Sequence, residues 1–337
     1  LDPVYKQFEE ASREIGIGLD NIELGVGAYG VSVQAKDTSQ PIGISIPKNV
    51  LLPGAQVDYG TNKVKEDVEI SDQLREYWNF YLGLSLGERA IQRRQDVENA
   101  IAKEGLEAWM QDENISALQA FLKVRGSEIE IRRYLAGART FGHAELGPVH
   151  MPYLDFVNHK HASRGFKVGD SGMWITGETD TKEVFVSYGR KDPLMLLDRY
   201  GFVTTANYLF STKSQIALPS LDCKVKVGRN MIRTNDVNGV RYGPKIEKIG
   251  NRIDVSFCML AARNAPMAAK KSWQLALDHA TNLTAKEKQS MNQFRSVIIN
   301  RNFNLLWQIY RRSEEIQDEG LRTVMMDAAA QSIRLVK

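Results

Sequence analysis

Asn158 and His159 close the apolar run YLDFVNH (153–159), and Tyr188 closes a second, VFVSYG (184–189). A third run, LLDRYGFV (196–203), carries Tyr200, Gly201 and Phe202. A tyrosine hydroxyl in such a place orients an amine and accepts a weak CH···O contact. An amide and an imidazole side by side hold a polar ligand through donors and acceptors together. Local readings compete with these. Asparagine favours the turn that follows a buried strand, and Tyr-Gly pairs commonly end strands with the hydroxyl at the surface.

Gly25-Val26-Gly27-Ala28-Tyr29-Gly30 fits GxGxxG, and with Val31-Ser32-Val33 it fits the kinase loop pattern. A dinucleotide site needs a helix next, its N-terminus aimed at pyrophosphate. Here Val31-Ser32-Val33-Gln34-Ala35 alternates as a strand does. A kinase needs HRD and DFG to supply a base and a magnesium ligand, and neither tripeptide occurs. The glycine motif therefore reads as a turn that opens a strand.

The elements that position these residues follow from patterning. Residues 2–15 are expected to form a helix, with Val4, Phe8, Ala11 and Ile15 near helical spacing. Residues 22–50 read as strands, from Val31 and Val33 and then Ile42, Ile44 and Ile46, with a turn at Gln40-Pro41. Residues 66–138 are helical in pattern. Capping boxes are expected at Ser85–Glu88, Ser127–Glu130 and Thr284–Glu287, each with a hydroxyl and a carboxylate on free N–H groups. Residues 139–203 return to short strands and loops. Strand signals recur over 219–260, with Ile253, Val255 and Phe257 alternating, and helix returns over 266–337.

Composition narrows the function classes. The chain has 337 residues, 43% hydrophobic and 25% charged, enough for two domains of ordinary globular type. Its net charge of +3 does not indicate nucleic acid. No apolar run reaches the roughly 18 residues of a membrane helix. Residues 1–15 lack a signal-peptide pattern. Cys223 and Cys258 stand far apart, which excludes a zinc cluster and argues against a disulfide framework. A cytoplasmic setting and no metal are expected.

The order strand block, helical stretch, strand block and C-terminal helices, together with Asn158-His159, Tyr188 and Tyr200-Gly201, resembles the SET-domain methyltransferases. The layout is similar to the plant Rubisco large-subunit methyltransferase branch, where a helical insert splits the SET domain. The resemblance implies an α+β fold of short β-sheets with a helical insertion and a mainly helical C-terminal domain. Residues 1–65 and 139–209 would form the SET core, 66–138 the insertion, and 210–337 a substrate-docking domain.

The resemblance also implies roles. The segment GAYGVSVQAKD resembles the first family motif, which would put Gly27, Ala28 and Tyr29 against the methionine end of S-adenosyl-L-methionine. Asn158 and His159 match the family's cofactor pair. Tyr188 matches the catalytic tyrosine, beside both cofactor and target amine, and Phe202 would stack on adenine. Ala138-Arg139-Thr140-Phe141 resembles an Arg-x-Phe segment, so Arg139 would touch the cofactor carboxylate or the substrate and Phe141 would line a lysine channel. His143, Asp155, Phe166 and Tyr200 would contact substrate. Structural readings stand beside several of these. Arg139 suits a helix C-terminus, Asp155 a structural acceptor, and Phe166 and Phe202 core packing. Asp180-Thr181-Lys182-Glu183 stands where the family has Gly-Glu-Glu.

The expected function is therefore methyl transfer from S-adenosylmethionine to a lysine side chain of a non-histone protein. Histidine as target and a non-catalytic SET-like peptide-binding module are the alternatives. A phosphotransferase built on the glycine motif is disfavoured by its missing motifs.

Overall fold

The computed structural model describes residues 1–27, 30–113, 115–161, 163–229, 243–263 and 265–336. Contacts divide the chain into two compact units: residues 1–99 with 124–189, and residues 100–123 with 190–337. The fold is α+β, with short sheets, helices between Asp72 and Arg139, and long helices after Pro266.

The first unit contains the glycine segment as an antiparallel hairpin, Ile22–Gly27 paired with Gly30–Ala35. The second strand of this hairpin is bordered by residues 182–184: Val184 N donates to Val33 O at 2.9 Å and Ala35 N to Lys182 O at 2.7 Å. A four-stranded antiparallel sheet runs Gly18–Asp20, Ile42–Pro47, Gly172–Gly177, Lys167–Gly169. Ile42, Ile44 and Ile46 alternate as the sequence predicts, and all three are buried. A three-stranded sheet joins Leu52–Pro53, Gly147–His150 and Thr140–His143. A parallel pair, Asn158–His159 with Phe185–Val186, brings two of the motif segments side by side.

The helix Pro3–Glu14 starts where Asp2 accepts from Val4 N and Pro3 fills a position that needs no donor. It buries Phe8 in an aromatic nest, with Tyr77 stacked at 5.6 Å, Tyr81 at 6.0 Å and Tyr153 at 6.3 Å. Truncating such a fully buried ring to alanine costs about 3–5 kcal/mol. The polar edges are satisfied: Ser12 Oγ lies 3.1 Å from Tyr77 OH, and Trp78 Nε1 donates to Val50 O at 3.1 Å. This core backs the helix Asp72–Leu86, whose Ser71 cap accepts from Leu74 N.

One expected capping box is absent. Ser85 lies inside Asp72–Leu86, and the next helix begins at Glu88 with Ala90 N and Ile91 N bonded to Gly87 O. Burial of Leu82 and Leu86 carries the first helix past the serine. At Ser127 the hydroxyl caps Glu130 N, while the Glu130 carboxylate reaches Gly126 N, one residue earlier than the pattern. The box at Thr284–Glu287 is complete.

The second unit holds a four-stranded sheet in the order Ser214–Leu218, Cys223–Val227, Arg252–Val255, Ile246–Ile249. Cys223–Val227 and Arg252–Val255 run parallel. Phe257 lies beyond the strand and packs edge-on to Phe210 at 5.8 Å. Three helices follow: Pro266–His279, Ala285–Glu314 and Glu319–Val336. The helix Pro193–Tyr200 was not expected from the sequence. Asp192 caps it by accepting from Met195 N, Pro193 opens it, and Gly201 closes it at φ 76°. Arg229 holds Asp192 through contacts of 2.8 and 3.0 Å. Among the described residues no helix is long and apolar enough to cross a membrane.

Candidate active site

In the glycine hairpin each glycine has a different physical reason. A Cβ on Gly25 would collide with the Gln34 amide, which donates from Nε2 to Val26 O at 3.0 Å. A Cβ on Gly27 would lie 2.5 Å from Ser32 Oγ and 2.7 Å from Glu183 Oε1. Gly30 has open space but sits at φ 106°, which disfavours any other residue. A strand follows the turn, so no helix N-terminus faces it, and the dinucleotide and kinase readings fail on geometry. Ala28 and Tyr29 lie outside the described residues.

Asn158 and His159 sit on the parallel pair beside Phe185 and Val186. Asn158 Nδ2 donates to Glu183 Oε1 at 2.6 Å. An amide oxygen could not rest that near a carboxylate oxygen without a proton between them. The carboxylate therefore fixes the amide's orientation and leaves Oδ1 as the acceptor on its other side. His159 is 3% exposed. Its Nδ1 lies 3.0 Å from Tyr188 N and 3.1 Å from Val186 O. Val186 O already accepts from Lys160 N. Nδ1 thus accepts from the Tyr188 N–H.

Tyr188 OH donates to Val157 O at 2.9 Å, which commits its proton to the backbone. The ring belongs to an aromatic row. Phe166 stacks on it at 6.4 Å, Phe141 meets Phe166 at 6.1 Å, and His159 lies 5.0 Å from Tyr188 on the other side. His161 extends the row 5.0 Å beyond His159. These residues come from four separate segments of the first unit, and His161 carries no motif that would have marked it.

Arg139 ends the helix Glu128–Arg139 and also pairs with Asp155, Nε to Oδ2 at 3.4 Å. It is therefore both a cation at a helix C-terminus and an ion-pair partner. Asp155 is 2% exposed, and its Oδ2 accepts from Tyr81 OH at 2.8 Å. Burial pushes its carboxyl up to about 6, against the pull of Arg139 and Tyr81. His150, fully buried, is driven down to about 4 by desolvation and by Arg139. Neither Tyr81 nor His150 stood out in the sequence, because their partners lie scores of residues away. His143 Nδ1 faces the N–H groups of Glu145 and Leu146 at 3.3 Å each, in the turn that Gly147 completes at φ 71°.

Tyr200 and Phe202 fall in the second unit. Their rings lie 5.9 Å apart, Arg199 stands 6.0 Å over Tyr200, and burial raises the Tyr200 phenol. Also in this unit, Cys258 is buried and its thiol pushed up to about 12, so it is no nucleophile. Among the described residues no group of three or more His, Cys, Asp or Glu is placed to hold a metal ion.

No protein-family model matches the chain, and no curated protein matches it. Solved structures are similar to it. Rubisco LSMT bound to AdoMet has a TM-score of 0.48 at 12% identity, over 100% of this chain and 90% of that one. The SET domain of LSMT bound to MeLysine and AdoHcy has a TM-score of 0.47 at 11% identity, with the same coverage. Rubisco LSMT bound to Sinefungin and Monomethyllysine has a TM-score of 0.46 at 12% identity, again with the same coverage.

Proposed function

We propose that this chain is a SET-type methyltransferase that uses S-adenosylmethionine to methylate a lysine side chain of a non-histone protein in the cytoplasm. The observation that carries the reading is Tyr188: its hydroxyl proton is committed to Val157 O, and its ring lies in the aromatic row with Phe166 and Phe141. A phenol so committed acts only as an acceptor. It suits an amine N–H, or the polarised C–H of a methyl in transit.

The cofactor supplies an activated methyl group on a sulfonium. Gly27, whose missing Cβ leaves room at the hairpin, and Asn158, with Oδ1 as its remaining acceptor, fit its amino-acid end. A lysine amine must lose a proton before it attacks. Relative to a reference pKa near 10.4, that costs about 4.6 kcal/mol at pH 7. A channel walled by Phe141 and Phe166 strips water from the amine and lowers that cost, while the Tyr188 oxygen aligns the lone pair. Asp155, buried, and Arg139, partly exposed, form an ion pair that would brace this region. Residues 210–337 are assigned to substrate docking.

The test is incubation of the chain with labelled S-adenosylmethionine and candidate proteins, with Tyr188→Phe in parallel. The wild type is expected to transfer label to lysine. The variant is expected to bind cofactor within about 3-fold of wild type and to lose about 100-fold or more in turnover. Calorimetric binding of ATP and not of S-adenosylmethionine would refute the reading. Near-normal turnover in Tyr188→Phe would remove the tyrosine from its role.

A further inference from the structure

Glu183 stands where three elements of the first unit meet. Its backbone borders the glycine hairpin through the bridge to Gln34. Its side chain reaches Asn158 at 2.6 Å and comes within 2.7 Å of where a Cβ on Gly27 would be. It is half-buried, and among the described residues no lysine or arginine pairs with it. The Asn158 amide is neutral and brings the carboxylate no opposite charge. A carboxylate facing a backbone with no side chain makes a receptor for a primary ammonium group.

Resting on the methyltransferase reading, we infer that Glu183 receives the α-ammonium of the cofactor's methionine end and selects for ligands that carry it. Two pieces of the geometry support this over a purely structural role. A residue needed only to orient Asn158 could be neutral, since a glutamine oxygen would accept the same N–H. The absence of a side chain at position 27 also leaves the carboxylate face open, where an alanine would cover it.

Calorimetry with S-adenosylhomocysteine and with its analogue lacking the α-amino group tests this. Wild type is expected to favour the amine-bearing ligand by about 10-fold or more. In Glu183→Gln, which keeps the shape and the Asn158 contact, that preference is expected to fall to about 3-fold or less, with affinity for the des-amino ligand unchanged. Should the glutamine variant not fold, Glu183→Ala must still lose the preference, while loss of its hold on Asn158 weakens both ligands. An unchanged preference in the variants, or equal weakening of both ligands, overturns the assignment while the methyltransferase reading stands. Failure of wild type to bind either ligand overturns the methyltransferase reading itself, and the assignment with it.

Discussion

Gly27→Ala is the sharpest perturbation of the hairpin, because its sign depends on two named neighbours. The new methyl would arrive 2.5 Å from Ser32 Oγ and 2.7 Å from Glu183 Oε1, both too near for a carbon. Ser32 is fully buried, so its hydroxyl has little room to turn. Glu183 can withdraw, but only by giving up the Asn158 contact at 2.6 Å. A hydrogen bond to a charged group is worth about 1.5–3 kcal/mol. Against that, alanine in a strand recovers about 0.5–1 kcal/mol of chain entropy relative to glycine. The net expectation is destabilisation by about 1–2 kcal/mol. In a Ser32→Ala/Glu183→Ala background both obstacles are gone, and the same Gly27→Ala change should become stabilising by about 0.5 kcal/mol. Urea denaturation of the full chain in the two backgrounds measures this. Gly30→Ala is the control: φ 106° and empty surroundings predict a cost of about 1–3 kcal/mol in both backgrounds. If Gly27→Ala costs the same in both backgrounds, the glycine is there for its backbone and the close-approach argument is wrong.

Asn158→Ala and His159→Ala are each expected to weaken S-adenosylmethionine binding by about 10-fold or more, as loss of one good hydrogen bond implies, with melting curves separating this from unfolding. Unchanged affinity in a folded variant would contradict it. In the second unit, Glu287 is held down to about 2 by Lys248 Nζ at 2.6 Å and then by the N–H of Thr284. A depressed carboxyl stabilises the fold above its unfolded pKa near 4.3 and loses that contribution as pH falls toward 2. With screening by solvent around the half-exposed lysine, the contribution is about 1–2 kcal/mol at pH 7. Glu287→Gln should remove it at neutral pH and flatten the stability curve between pH 5 and 2. A variant as acid-sensitive as wild type would exclude Glu287 as its source.

What the sequence reveals depends on the range of the interaction. Val31 to Ala35 and Ile42 to Ile46 alternate in residue type, and strands formed there, although in the first of them Ser32 is buried as fully as Val33. The Thr284 box formed because its parts are three residues apart. The Ser85 box shows the limit of such patterns: tertiary burial of Leu82 and Leu86 outweighed a cap worth about 1 kcal/mol. The helix Pro193–Tyr200 was legible in Asp192-Pro193 and Gly201. The same Tyr200-Gly201 pair serves both as an aromatic-glycine motif and as the stop of this helix. At the site, Tyr188, Asn158 and His159 announce themselves at the ends of apolar runs. The grip of Glu183 on Asn158, and the contacts of Asp155 with Tyr81 and Arg139, join distant segments and leave no local trace.

The parallel pair Asn158–His159 with Phe185–Val186 bears on how this chain tolerates change. Residues 183–188 alternate sides, so Glu183 turns toward Asn158 while Val184 and Val186 are buried. Inserting one residue between Glu183 and Tyr188 would exchange those faces, seating a valine against the amide and a carboxylate in the core. The excursion between the two strands carries a constraint of its own, because it holds Lys167–Gly169 and Gly172–Gly177, neighbours in the four-stranded sheet, with Met173 and Ile175 buried. Only the connections outside these strands can lengthen at the slowly growing cost of loop entropy. Variation in length should therefore gather at 178–181, and insertional scanning should find residues 183–188 intolerant of a single added residue.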